Sequence, residues 1–393
     1  MTRPLYFIPD WDDLVDPGYD FLTDTARGKG WESERYAHEL LERPPYDGIL
    51  VSKVVEEKSK KRRERLRRLG VHGALRVPRE FPVIGDCGAF GYFEEKLPPY
   101  TSEEIIDYYT TCGFDFGVSI DHLIPSAEFP DRDLRYEITR ENAREFISLH
   151  KKLGSPFTPV GAVQGWDPDS YATLASQMIT MGYTMLALGG LVRASTETIL
   201  EITRAVRGVI PPETRLHLFG VARIPMLEAL QKLGVYSVDS ASALRRAWMG
   251  STDNYHTLKR DYCAIRIPEP GKRGPMKNLT GDDLSLARRL ESASLEKIRG
   301  YDRGAVSLGE LMDVLGEYET FYNPGKKSRL AHYEKTLREM PWKKCSCKIC
   351  VESGVEVAIF RGNNRNRRRG FHNTFVLYEQ FRGMEKSSRA QKG

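Results

Sequence analysis

Short apolar segments rich in β-branched residues recur along most of the first 270 residues, and each is followed by a polar turn and an amphipathic stretch. Continuous apolar runs of this kind are typical of parallel strands buried on both faces. The predicted strands are 47–53, 81–86, 116–121, 158–165, 183–190, 215–220, 235–239 and 262–267. Roughly eight strands alternating with helices over about 270 residues indicate a (β/α)8 barrel, a TIM barrel of the α/β class. A doubly wound open sheet is the alternative.

Helix-start signals support this pattern. Thr101 and Thr139 are each followed closely by acidic residues, and both are predicted N-caps. The predicted helices are 102–111, 141–153, 170–181, 196–206, 225–233, 284–298 and 308–321.

Composition agrees with a folded chain. Hydrophobic residues make up 40% and charged residues 29% of the 393 residues, which excludes global disorder. The net charge of +5 is only a weak indication of a polyanionic partner. The sequence contains neither a spanning apolar run nor the pattern of a secretory signal, so we expect a soluble, cytoplasmic protein without a membrane partner.

Three of the six cysteines fall within six residues, a clustering that indicates metal binding rather than disulfides. Cys345, Cys347 and Cys350 form C-x-C-x2-C, and His372 follows after 21 residues. Three thiolates and an imidazole complete a tetrahedral Zn²⁺ site without an open position, so the predicted zinc is structural. Surface cysteines without metal are one alternative. An iron–sulfur cluster, which calls for a fourth cysteine nearby, is the other.

These features predict three regions. A (β/α)8 catalytic barrel is expected at 1–270, a helical insertion at 271–342, and a zinc-binding subdomain with a basic tail at 343–393.

Polar residues or glycines stand at the ends of several predicted strands: Asp86, Asp121, Gln164, Gly220, Asp239 and the pair Gly189-Gly190. In a barrel these ends meet at one face. A single aspartate there is more often a helix cap, but several together indicate a site. Two carboxylates can act as nucleophile and general acid/base at an anomeric carbon, and a third, with an amide and glycine backbone, suits a purine edge. Spacing alone leaves glycosidase and aldolase chemistry open.

Six ordered fragments resemble the tRNA-guanine transglycosylase superfamily, from about residue 82 to the zinc region. They are 82–90 (PVIGDCGAF), 163–165 (VQG), 188–191 (LGGL), 217–221 (HLFGV), 234–239 (GVYSVD) and the C-x-C-x2-C motif with His372-Asn373.

The resemblance implies a role for each matching residue. Asp239 would be the nucleophile on the sugar C1′, and Asp86 the general acid/base. Asp121, Gln164 and the turn Gly189, Gly190 and Leu191 would hold the purine. The implied reaction is a ping-pong base exchange through a covalent glycosyl-enzyme, with zinc as a structural ion.

Departures from the family pattern lie on the side that contacts nucleic acid. Gly91 stands where the family has glutamine, residues 240–246 replace a Pro-Thr-Arg-type segment, and the stretch from Asp239 to Cys345 is long. With these changes, the chain resembles the branch of the family that places 7-deazaguanine bases such as preQ0 in DNA. The expected partners are therefore DNA, such a base and companion DNA-modification proteins.

Two basic runs are candidates for contact with phosphates. The run 58–68 is equally explained as a solvated helix face. Arg365, Arg367, Arg368 and Arg369 lie in a predicted loop between zinc ligands and are expected to follow phosphates.

The barrel mouth is also expected to offer aromatic rings for the extruded base to stack on, namely Phe90, Tyr92 and Trp166. Base exchange in tRNA, a non-catalytic nucleic-acid-binding subunit and a glycosylase that only removes a base are the alternative functions. The presence of both Asp86 and Asp239 argues against the non-catalytic subunit.

Overall fold

The computed structural model describes residues 3–272 and 276–390, with side chains described up to residue 383 in the last helix. Eight parallel strands close into a barrel in chain order, as predicted. They are β1 (Leu5–Pro9), β2 (Gly48–Ser52), β3 (Val83–Asp86), β4 (Phe116–Val118), β5 (Thr158–Val163), β6 (Met185–Leu188), β7 (Arg215–Leu218) and β8 (Ser237–Asp239).

The strand that closes the barrel differs from the sequence prediction. Strand β1 pairs with both β2 and β8, whereas the predicted strand 262–267 lies outside the barrel in two small sheets. The run Leu5–Pro9 was missed because Pro4 and Pro9 flank it, and proline normally argues against a central strand. Here one proline precedes the strand and the other ends it, so the ladder between them is complete.

The helices up to the end of the barrel range in length from 4 to 22 residues. They are α1 (Ala37–Leu40), α2 (Lys53–Glu57), α3 (Lys60–Leu75), α4 (Ser102–Cys112), α5 (Arg132–Leu153), α6 (Pro168–Met181), α7 (Thr196–Val209) and α8 (Leu227–Lys232).

One predicted helix start is confirmed and the other is wrong. Thr101 caps α4, since its hydroxyl accepts from the Glu104 N–H and the Glu104 carboxylate accepts from the Thr101 N–H. Thr139 instead lies inside α5, where its hydroxyl donates to the Arg135 carbonyl. A threonine can satisfy its hydroxyl one turn back in a helix, so the acidic residues after it did not mark a boundary.

The interior of the barrel is apolar, because each strand is buried on both faces. Its core comprises Phe7, Leu50, Ile84, Phe116, Val118, Val160, Ala162, Met185 and Ala187. This packed interior leaves the loops after the strands as the place where polar side chains can gather.

The chain after the barrel is mainly helical. Its elements are α9 (Ser242–Met249), β9 (Tyr255–His256), β10 (Asp261–Tyr262), β11 (Ile265–Arg266), α10 (Gly281–Asp302), α11 (Leu308–Tyr322), α12 (Leu330–Glu339), α13 (Pro341–Lys344), α14 (Lys348–Ser353), β12 (Ile359–Phe360) and α15 (Gly362–Ala390). None of the helices in the described ranges has the length and apolar character needed to cross a membrane.

The chain forms two compact units. The first consists of the residues up to Asp12, Tyr46–Ala241 and the chain from Phe381, and it contains the barrel. The second consists of Asp13–Pro45 and Ser242–Gln380. The three-region division with limits after residues 270 and 342 stays a prediction, and residues 391–393 of its basic tail lie outside the described residues.

Candidate active site and metal centre

Three carboxylates and one amide gather at the C-terminal ends of the barrel strands. Asp86 and Asp239 are the last residues of β3 and β8, while Asp121 and Gln164 follow β4 and β5. Gln164 Nε2 donates to Asp121 Oδ2 at 2.6 Å. The charges of Asp121 and Asp239 both act on Asp86. The structure thus brings the four predicted side chains into one barrel mouth.

The carboxyl group of Asp86 has a strongly altered proton affinity. Burial raises its pKa to about 7, with help from the negative charges of Asp121 and Asp239. The backbone N–H groups of Gly88 and Cys87 donate to the carboxylate and oppose this rise. A carboxyl group with a pKa near 7 can both give and accept a proton near neutral pH, as a general acid/base must.

Asp121 is buried and is held from two sides. Burial raises its pKa to about 6, and the hydrogen bond from the Gln164 amide opposes the rise. The Tyr92 hydroxyl donates to the Asp121 carbonyl oxygen at 2.9 Å. A fixed carboxylate beside a fixed amide can accept from and donate to the edge of a purine.

The glycine turn after β6 is shaped around Gln164. A Cβ atom on Gly189 would lie 2.2 Å from Gln164 Nε2, so any larger residue there would displace the Gln164 amide. Gly190 adopts a φ of +76°, and the Tyr171 hydroxyl donates to the Gly189 carbonyl at 2.6 Å. Leu191, the next residue, is buried. The turn therefore presents backbone groups next to the amide and the carboxylate.

Asp239 is buried and is oriented through one of its oxygens. Its Oδ1 accepts from the Gly220 N–H at 2.9 Å and lies 3.2 Å from His217 Nε2. The other ring nitrogen of His217 lies 2.8 Å from Ser237 Oγ. With Oδ1 engaged in this way, the second oxygen, Oδ2, is the one suited to attack a substrate carbon.

Sequence reasoning assigned no role to His217 or Gly220. The available signal was a histidine inside the otherwise apolar strand β7, since a polar side chain inside a barrel needs a partner. Asp239 is that partner.

The three expected aromatic platforms differ in access. Phe90 is 64% exposed in the short turn of helix that follows Asp86. The expectation for Tyr92 is wrong, because its ring is buried and its hydroxyl is bonded to Asp121. The Trp166 ring carries the Arg132 guanidinium 4.6 Å from its centroid.

The predicted metal ligands meet in the second unit. The Sγ atoms of Cys345, Cys347 and Cys350 lie 3.6, 3.4 and 3.3 Å from His372 Nδ1. All four ligand atoms lie within 4.8 Å of one another. Zinc bonds of about 2.0–2.3 Å in a tetrahedron separate ligand atoms by roughly 3.5–3.8 Å. The cluster can therefore hold a metal ion, and the other cysteines take no part in it.

Neighbouring groups fix the orientation of His372. Its Nε2 lies 2.8 Å from the His256 carbonyl oxygen, so Nε2 carries the proton and Nδ1 is free for a metal. The Tyr255 ring stacks on the imidazole with centroids 4.4 Å apart. The Asn373 side chain accepts from the His256 N–H at 2.9 Å and donates to the Asn254 carbonyl at 3.1 Å. The Asn after His372 thus holds the segment that orients the imidazole.

The expected exposed basic loop is a helix, which corrects the sequence interpretation. Arg365, Arg368 and Arg369 are buried in α15, spaced so that they share a face with His372. Arg365 Nε pairs with Glu356 at 2.7 Å, and the same guanidinium pairs with Asp24.

The other arginines of this helix are also engaged within the protein. Arg369 donates to the carbonyls of Val357 and Ile359, and Arg368 donates to the carbonyl of Asp16. Buried guanidinium groups engaged in this way are not available to phosphates. Arg367 is half-buried, with Nε 3.3 Å from Asp13, and its predicted role stays a prediction.

Comparison with known proteins agrees with the site. A family model described as Queuine tRNA-ribosyltransferase matches residues 92–390. A DNA-guanine transglycosylase of Salmonella montevideo is 37% identical over 97% of this chain and 97% of its own.

Archaeal relatives match a smaller part of the chain. The tRNA-guanine(15) transglycosylases of Methanopyrus kandleri and Methanosarcina acetivorans are each 26% identical. The matches cover 50% and 58% of this chain, and only 43% and 48% of theirs. The family match spans most of the chain, so the resemblance in the sequence motifs is confirmed: the chain belongs to the queuine tRNA-ribosyltransferase family of guanine transglycosylases.

Proposed function

We propose that this enzyme replaces a guanine in DNA with a 7-deazaguanine such as preQ0. The observation that carries the choice of DNA is the extent of similarity. The relative named for DNA matches 97% of both chains, whereas the two archaeal relatives named for tRNA match 50% and 58% of this chain. The replaced segment 240–246 and Gly91 point the same way. Exchange in tRNA is the alternative.

The first half-reaction releases guanine. Asp239 Oδ2 attacks the sugar C1′, the bond from C1′ to guanine N9 breaks, and a covalent glycosyl-enzyme forms. The bond from the Gly220 N–H and the contact with His217 aim the carboxylate through Oδ1. Asp86 supplies the proton that the leaving guanine takes up, because its raised pKa keeps part of it protonated near neutral pH.

The second half-reaction installs the new base. Asp86, now a carboxylate, accepts the N9 proton of the incoming 7-deazaguanine. N9 then attacks C1′, and the bond to Asp239 breaks. The N9 proton replaces the one that Asp86 gave to guanine, and the enzyme returns to its starting state.

Recognition of the base is assigned to Asp121, Gln164 and the turn Gly189, Gly190 and Leu191. A carboxylate accepts from the N1–H and N2–H₂ groups of guanine, and amide and backbone N–H groups donate to O6. Both guanine and a 7-deazaguanine present this edge, which favours exchange over simple base removal. The exposed Phe90 ring is placed to stack on the base.

We assign zinc to the Cys345, Cys347, Cys350 and His372 cluster. Four protein ligands leave no open position, so the ion would hold the fold of the second unit and take no part in the reaction. Companion DNA-modification proteins stay a prediction.

Radiolabelled preQ0 offered with matched pools of DNA and tRNA tests the choice of polymer. We expect label in DNA. The Asp239→Asn variant serves as the control, because it retains a side chain of the same shape without the nucleophile. Label found only in tRNA would contradict the DNA assignment and leave the exchange chemistry intact.

A further inference from the structure

The second unit contains a cavity of about 720 Å³ that neither the reaction nor the metal centre uses. Its walls come from the N-terminal segment 14–34, from β11 and the residues after it, from the end of α11 and from the first turn of α15. Cationic side chains outnumber acidic ones among the residues that line it.

Four of these cations are available to a ligand. Among the described residues, the side chains of Lys29, Lys326, Arg266 and Arg329 take part in no ion pair. Lys29 and Lys326 are exposed, while the central carbon of the Arg266 guanidinium lies 4.0 Å from the centroid of the Phe360 ring. Unpaired cations held around one cavity attract an anion.

Two of the three acidic residues of the cavity, Asp24 and Glu269, have other partners. Asp24 pairs with Arg361 at 2.6 Å and also with Arg365, and Glu269 pairs with Lys272. These pairs neutralise both carboxylates. Glu34 is the third acidic residue of the cavity, so the four cations still outnumber the remaining carboxylate.

The remaining lining suits a phosphodiester chain. The N-terminus of the 29-residue helix α15 opens on the cavity, with the side-chain amide of Asn363 beside it. Backbone N–H groups at a helix N-terminus favour an anion.

We propose that this cavity binds backbone phosphates of the nucleic-acid substrate. The proposal rests on the proposed function only for the identity of the polymer as DNA. The proposed phosphate contacts are Lys29, Arg266, Lys326 and Arg329, rather than the buried arginines of α15.

The test is DNA binding as a function of salt concentration. Lys326→Ala with Arg329→Ala is compared with the parent protein, both carrying Asp239→Asn so that no exchange occurs. Fluorescence anisotropy with a labelled DNA duplex gives the affinity at each KCl concentration. Because each phosphate contact contributes about −0.9 to the slope of log K against log salt, the slope becomes shallower by about 1.8.

Two matched variants control for charge. Arg288→Ala with Arg289→Ala removes the same charge from exposed positions on α10 outside the cavity and leaves the slope unchanged. Lys326→Arg with Arg329→Lys keeps the charge and also retains the slope. An equal flattening of the salt slope in the cavity and α10 variants, or no flattening in either, would overturn the proposal. A flattening of the slope seen with RNA but not with DNA would support the cavity as a phosphate site and contradict the DNA assignment.

Discussion

The proton affinity of Asp86 links the active site to stability. Its pKa is raised to about 7 by burial, then by Asp121 and Asp239, whereas an unfolded aspartate titrates near about 3.9. Between these two values the folded protein binds more protons than the unfolded chain, so stability is lost as the pH rises through that window.

Asp86→Asn removes this pH-dependent loss. We expect the melting temperature of the variant minus that of the parent to be higher at about pH 8 than at about pH 5. Thermal unfolding at both pH values measures the difference. A difference that is the same at both values would mean that Asp86 titrates at its ordinary pKa.

The shape of the proposed base pocket depends on Gly189. Gly189→Ala places a Cβ 2.2 Å from Gln164 Nε2, so the amide must move away from Asp121. We expect KM for the incoming base to rise by about tenfold or more, since a displacement of about 1 Å at a site can cost far more than its contacts.

A matched glycine variant separates this effect from a general loss of stability. Gly208→Ala lies in α7 with open space around the new methyl group, and it should raise stability by roughly 0.5–1 kcal/mol without changing KM. Unchanged kinetics in Gly189→Ala would show that Gln164 does not hold the base.

At the level of elements, helix α15 joins the metal centre to the segment 13–45. Arg365 and His372 lie on one face of it, and Arg365 pairs with Glu356 and with Asp24 of that segment. Each carboxylate also has a second arginine partner, since Glu356 pairs with Arg299 and Asp24 pairs with Arg361. Removing Arg365 therefore takes one buried charged hydrogen-bond donor from each carboxylate without leaving either unpaired.

Arg365→Met should therefore lower the free energy of unfolding by about 2–3 kcal/mol, because the hydrogen bonds from its buried guanidinium to both carboxylates are lost. The Arg367 side chain is three-tenths exposed and pairs with Asp13, so Arg367→Met should cost at most about 1 kcal/mol. Urea unfolding of the two variants gives both values. Equal losses would contradict the structural role assigned to the buried face of α15.

The metal centre has its own test. Cys347→Ala with Cys350→Ala should abolish binding of about one zinc ion per chain, because two of the four ligands are lost. Cys112→Ala, at a buried cysteine outside the cluster, should retain the ion. Metal analysis of the purified proteins decides, and undiminished zinc in the double variant would refute the assignment.

For the whole molecule, the regular alternation of strands and helices was sufficient to predict the barrel and to place Asp86, Asp121, Gln164 and Asp239 at one mouth. The sequence did not reveal which strand closes the barrel. The prolines around β1 argued against a strand there, and its place in the barrel depends on pairing with the distant β8.

Two further features escaped prediction because they depend on contacts between segments distant in sequence. The basic run around Arg365 gives no indication that its partners are Asp24 and Glu356. The cavity in the second unit draws its cations from Lys29 to Arg329, separated by most of the chain. Local composition cannot reveal either arrangement.

The most direct test of the account is covalent trapping of the enzyme on DNA. Labelled DNA is mixed with the parent protein, Asp239→Asn and Asp86→Asn, and the mixtures are separated on denaturing gels with released guanine measured in parallel. We predict a protein–DNA adduct with the parent, no adduct with Asp239→Asn, and slowed guanine release with Asp86→Asn. An Asp239→Asn variant that still forms the adduct, or that exchanges guanine at the parent rate, would contradict the assignment of Asp239 as the nucleophile.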